Sequence, residues 1–124
     1  MQGKIIEPVH NGRPVRIKFV TFPEQIQGRI KGIANRQHDK YLVLIDDSRA
    51  QDAQAHTLGH ELAHIYLGHL DGAGGPEWRP MGGGMCYEQN PAREAEADAH
   101  AALYYDKYIS NQLPGQTEPL PGRA

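Results

Sequence analysis

The chain has 124 residues, 13 of them basic and 15 acidic, for a net charge of −2; this suits one domain with a modest core and offers no basic footprint for nucleic acid. Its single cysteine, Cys86, excludes an intramolecular disulfide and fits a reducing compartment. No stretch approaches the ~20 apolar residues of a membrane span, and the first residues carry no apolar run of the signal-peptide kind, so a soluble cytoplasmic protein is expected.

Residues 1–14 are polar and punctuated by Gly3, Pro8, Gly12 and Pro14, a loose lead-in with room for a short edge strand. Val15, Ile17 and Phe19 then alternate with Arg16 and Lys18, the period of a half-buried strand, which Pro23 ends. Residues 28–35 read as a second strand, with Ile30 and Ile33 out of phase across Gly32 and a bulge predicted there. After a polar turn, the apolar run 41–45 (YLVLI) predicts a strand covered on both faces. The three make a small antiparallel sheet.

Ser48 with Gln51 has the form of a capping box, predicting a helix over 49–67 with Gly68 as its stop. Residues 71–89 are rich in glycine and proline; no regular structure is expected, and the segment reads either as a lid beside a site or as a plain connector. Asn90-Pro91 is an N-cap followed by proline at the first helical position, opening a second helix over 91–109. Residues 113–124 form a second loose tail. The fold class is α+β: one domain over 1–124, a three-stranded sheet and two main helices.

The chemistry concentrates in the first helix, in His60-Glu61-Leu62-Ala63-His64. Residues four apart on a helix point the same way, so His60 and His64 can offer two imidazole nitrogens to one zinc ion. Glu61 stands one step round, beside the metal, where its carboxylate can take a proton from a water whose pKa the metal lowers to roughly 7. Leu58, Leu62 and Ile65 form an apolar stripe nearly opposite the histidines, so one face packs while the other is free. Two histidines do not complete a zinc site. His56, His69, Cys86, Glu94, Glu96 and Asp98 are the candidates for a third ligand. A third histidine at H-E-x-x-H-x-x-G-x-x-H spacing fails, because Gly68 is four residues beyond His64 and His69 five, where the pattern needs three and six. Glu94 and Asp98 share a helical face; Glu96 lies about half a turn away and reads as a solvated charge.

Thr57-Leu58, His60-Glu61-x-x-His64 and Glu94-x-Glu96-Ala97-Asp98, in that order behind a small sheet, resemble the ImmA/IrrE family of gluzincin-like metallopeptidases over about residues 41–106. The resemblance implies a minimal zincin-like fold, one zinc ion held by His60, His64 and Glu94, Glu61 as general base, and Asp98 as an acceptor holding a ligand histidine in its tautomer. After Asp98 the chain departs from the family's usual continuation, with His100-Ala101-Ala102-Leu103-Tyr104 in its place. The implied activity is hydrolysis of peptide bonds in a protein substrate, such as a repressor-type transcriptional regulator. The strand 41–45 is the expected edge for an extended peptide, because it leads into the metal helix. The competing class is a non-catalytic zinc-binding regulatory module of the same fold. His56, His69, His100, Tyr66, Tyr87 and Tyr104 stay open as oxyanion donors, and Cys86 reads as an inert loop residue.

Overall fold

The computed structural model describes residues 7–25, 30–71, 78–81, 85–88 and 91–113. β1 (Val9–His10) and β2 (Arg13–Val20) form a hairpin through Asn11-Gly12, both at positive φ (53° and 75°). That conformation matches the twist of a two-residue hairpin, and Asn and Gly are the residues that tolerate it. β3 (Gly32–Arg36) and β4 (Tyr41–Asp46) form a second hairpin, Gly32 opposite Ile45 and Arg36 opposite Tyr41. The Gln37 N–H donates to the Lys40 carbonyl across its turn at 2.7 Å.

β2 pairs with the other side of β4 in parallel, from Val15 opposite Tyr41 to Val20 opposite Asp46. The sheet is therefore four-stranded and mixed, in the order β1-β2-β4-β3, and not three-stranded and antiparallel. Residues 21–40 explain the difference: this stretch is long enough to carry the chain past the place of β4 to the far edge before β3 turns back. Two further expectations change with it. The strand expected at the edge, β4, is interior, and β3 takes the edge. Gly32 opens β3 and no bulge interrupts that strand.

α1 (Gln51–Tyr66) covers one face of this sheet. Leu58, Leu62 and Ile65 join Val15, Ala34, Tyr41, Val43 and Ile45 in a core that also takes Leu70 and Leu113. Each fully buried aliphatic side chain in it contributes about 1.5–3 kcal/mol. Leu42 and Leu44, on the opposite side of β4, are only half-buried, so that strand is sealed on one face. Ser48 does not cap α1. Its backbone N–H and hydroxyl donate to Oδ1 of the buried Asp46, at 3.1 and 2.8 Å, and the N-cap is Ala50, without a side-chain cap. The Gln54 side-chain amide supplies a tie in its place, donating to the Arg49 carbonyl at 2.7 Å.

The C-terminus of α1 follows its predicted stop closely. Gly68 adopts φ +82°, its N–H donates to the Ile65 carbonyl at 3.1 Å, and the His69 N–H donates to the His64 carbonyl at 2.9 Å. This pair of bonds is a Schellman motif, which folds the residue after the glycine back over the helix's last turn.

Two segments differ from expectation. Within 71–89, β5 (Trp78–Met81) and β6 (Met85–Glu88) pair antiparallel, with the three glycines Gly82 to Gly84 between the strands and not inside them. The second helix is two: α2 (Pro91–Ala99) and α3 (Ala101–Ile109), interrupted at His100 (φ −103°, ψ 4°). Neither glycine nor proline marks this break. It falls where Ala101 is buried against Gly59 of α1, so packing sets it. Of the segments expected to be loose, residues 1–6 and 114–124 lie outside the described residues; in the rest the Pro8 carbonyl accepts the Val15 N–H at 2.8 Å and Leu113 is buried. No helix among the described residues is long and apolar enough to cross a membrane.

Candidate metal centre

One turn of α1 separates His60 from His64, and it brings their Nε2 atoms to 3.1 Å from each other. Glu94, in the first turn of α2, bridges the pair: Oε1 lies 3.0 Å from His60 Nε2 and Oε2 3.0 Å from His64 Nε2. Ligand atoms at about 2.0–2.1 Å from a tetrahedral ion stand on the order of 3.3 Å apart, so this spacing is close to that of a coordination shell. The chemistry of the set fits as well. Two imidazole nitrogens and a carboxylate converge on one point, and a cation there could replace the protons they now share and take a lone pair from each. The cluster could hold a metal ion. His64 is buried and His60 nearly so, while Glu94 is 42% exposed, which leaves the cluster open on the α2 side.

The electrostatics follow from the same contacts. Burial alone would raise the Glu94 carboxyl, but hydrogen bonds and charge from His60 and His64 hold it down at about 2. For His60 burial opposes the charged form, yet the Glu94 hydrogen bond and the Glu61, Glu94 and Asp98 carboxylates together raise its pKa. His64 goes the other way: burial lowers its pKa, against the pull of Glu94, and the neighbouring imidazoles add to the effect. The pair thus shares its affinity for positive charge unequally, with His60 the more basic member.

Glu61 is 7% exposed. A Cβ built on Gly32, the first residue of the edge strand, would stand 2.5 Å from Thr57 Cγ2 and 3.3 Å from Glu61 Cγ. The turn of α1 that carries His60 and Glu61 therefore lies directly against the start of β3, and glycine permits that approach. Asp98 places Oδ1 2.7 Å from His56 Nε2 and 3.5 Å from His60 Nδ1. The shorter contact is an ordinary hydrogen bond and the longer one lies outside the usual range.

Glu96 is half exposed, as helical periodicity predicts for a solvated charge, but it also has a partner. Its Oε1 lies 2.6 Å from Nε2 of the buried His69, and His69 Nδ1 lies 2.9 Å from His64 Nδ1. Sequence reasoning missed this connection. A signal for it exists in Gly68, because a Schellman turn at that glycine places residue 69 back against residue 64. Of the open oxyanion candidates, the Tyr66 hydroxyl donates to the Val9 carbonyl, Tyr104 stacks on the Tyr66 ring, and His100 Nδ1 lies 2.9 Å from the Glu96 carbonyl. The side chains of Tyr87 and Cys86 lie outside the described residues. Comparison with family models, curated proteins and solved structures finds no match to this chain.

Proposed function

We propose that this chain is a zinc-dependent peptidase of the ImmA/IrrE type, cleaving peptide bonds in a protein substrate such as a transcriptional regulator. The observation that carries the reading is the convergence of His60, His64 and Glu94 beside a buried glutamate, Glu61, on the same helix. His60, His64 and Glu94 would hold the ion, which supplies Lewis acidity toward a water and a carbonyl when bound. A structural zinc has no use for a general base next to it. Glu61 takes that role here: its carboxylate accepts a proton and returns it to the leaving amine. Burial keeps bulk water from competing for that proton.

The substrate would lie along β3. Among the described residues this strand is one of the sheet's two edges, and its Gly32 end abuts Thr57 and Glu61. An extended segment adding to it by backbone hydrogen bonds would bring one of its peptide groups toward the cluster.

Glu61→Gln tests the reading, because the amide keeps the shape and removes the basic oxygen. With a proteome-derived peptide mixture read by mass spectrometry, the variant should retain zinc while cleavage falls by at least ~10²-fold, the lower figure for a positioned general base. Undiminished cleavage with zinc retained refutes the assigned mechanism. A zinc-loaded wild type that leaves the mixture intact favours the regulatory module instead.

A further inference from the structure

We infer that His69 and Glu96 form a positioning pair that fixes the tautomer of His64 and so aims its Nε2 lone pair at the metal; the inference rests on the metal reading above. The geometry is a chain of three groups, Glu96 Oε1 to His69 Nε2 at 2.6 Å, then His69 Nδ1 to His64 Nδ1 at 2.9 Å. A carboxylate only accepts, so His69 donates Nε2–H to Glu96. The other nitrogen of the neutral His69 ring then carries a lone pair. His64 must donate Nδ1–H into it, and the proton is thereby absent from His64 Nε2. That nitrogen is the one facing Glu94 and His60, at 3.0 and 3.1 Å.

Without this chain the two tautomers of His64 would be close in energy, and one of them points an N–H at the ion's place. A carboxylate hydrogen-bonded to a ligand histidine is the usual device for excluding it. Here the carboxylate acts through a second imidazole.

The backbone holds His69 for this task. In a Schellman motif the residue after the glycine commonly makes an apolar contact with the helix residue it folds back over. In this chain those two positions are His69 and His64, and a hydrogen bond between rings replaces the apolar contact. The His69 N–H is bound to the His64 carbonyl, and its own carbonyl accepts from Arg93 Nη1 of α2 at 3.1 Å. The side chain is only 6% exposed. Backbone N–H, backbone carbonyl and both ring nitrogens therefore all have partners, and all four partners lie on the helix of His60 and His64 or on the helix that brings Glu94.

The test measures zinc affinity by competition with a chromophoric chelator, for wild type, His69→Phe, His69→Gln and Glu96→Gln. Removing an outer-shell partner of a ligand typically lowers metal affinity by about 10–100-fold. His69→Phe should fall in that range, and His69→Gln, whose amide oxygen can still accept from His64 Nδ1–H, should recover part of the loss. Glu96→Gln should lie between wild type and His69→Phe.

A second readout is independent of affinity. In the zinc-loaded wild type, nitrogen–proton correlation should assign a slowly exchanging, low-field proton to His64 Nδ1, and that signal should vanish or exchange rapidly in His69→Phe. A purely structural role for His69 would lower the unfolding midpoint in excess chelator and leave affinity and the Nδ1 proton unchanged. Equal affinity in all four proteins, or a proton on His64 Nε2 with zinc bound, overturns the inference while the metal reading stands. A wild type that takes up no zinc overturns both.

Discussion

Gly59→Ala sets two physical effects against each other in the middle of α1. Helix propensity favours alanine over glycine by about 1 kcal/mol in a helix interior, so a reading of the helix alone predicts stabilisation. The tertiary structure predicts the opposite. A Cβ on Gly59 would sit well inside contact distance of the Ala101 carbonyl oxygen, 2.8 Å from the Ala101 carbonyl carbon and 3.1 Å from Tyr105 Cβ. The obstacle is the backbone of α3, which has no rotamer to escape into, so α1 and α3 must move apart by something on the order of 1 Å, and a gap of that size forfeits a quarter to a half of the dispersion attraction across it. Overpacking of this kind costs about 1–3 kcal/mol, and the upper part of that range applies to a clash with main chain. After the helix-propensity gain, the net destabilisation is about 1–2 kcal/mol, or a midpoint lowered by roughly 3–10 °C for a domain of this size. Thermal unfolding followed by far-ultraviolet circular dichroism, in excess chelator so that metal linkage does not contribute, measures it directly. A midpoint equal to or above wild type would refute the reasoning and show that α3 does not press on Gly59.

Two predictions complete those made with the proposals. Glu94→Gln should abolish stoichiometric zinc in metal analysis of the purified protein, because it removes the only anionic member of the donor set, whereas Glu96→Gln should keep zinc at reduced affinity; equal retention in both would show that the third ligand is misplaced. Acid should destabilise the metal-free protein through its carboxyls with depressed values, three of which are at least partly buried. Despite burial, Asp46 is held below the usual range by Ser48, Phe22 and Arg49, Asp71 by Tyr41, Arg36 and His10, and Glu94 at about 2 by His60 and His64. A depressed folded pKa contributes stability that is present above the unfolded carboxyl value of about 4 and is lost as pH falls through the folded value, so the urea midpoint should drop between about pH 4 and 2. Asp71→Asn should flatten that drop; an unaltered profile would mean the Asp71 contacts do not persist in solution.

The readable parts of this chain were those in which local pattern and tertiary demand agree. Alternation located β2, the apolar run located β4, and the apolar stripe of Leu58, Leu62 and Ile65 marked the packed face of α1. Gly68 marked the helix end because the left-handed conformation it adopts is one that side chains resist. What stayed illegible was decided by partners remote in sequence. Strand order depends on where residues 21–40 travel, and no periodicity within β2 or β4 distinguishes a parallel neighbour from an antiparallel one. Ser48 has a good capping position but a better acceptor in Asp46, which is buried and in need of donors. The break at His100 lies inside an unbroken helical pattern and answers to the seating of Ala101 on Gly59.

The candidate site divides along the same line, and the reason bears on how such sites are built. Glu94, Glu96 and Asp98 occupy alternate positions on α2, so an ideal helix turns Glu96 away from the face that the other two share. All three nevertheless reach histidines of one segment, because that segment is not a helix throughout. His56, His60 and His64 lie along the helical side of α1, where Asp98 and Glu94 meet them, while His69 lies beyond the Schellman turn and reaches the other flank of α2, where Glu96 stands. Periodicity along α2 alone therefore sorts its carboxylates correctly by face and misjudges what each face meets. The helix terminator at Gly68 supplies the missing information, since it converts a spacing of five residues from a helical offset into a contact. A glycine stop shortly after a pair of histidines that could hold a metal is thus more than the end of the helix. The residue following it is placed to touch the last ligand, and when that residue is a histidine its second nitrogen becomes the point at which a further carboxylate can act on the site.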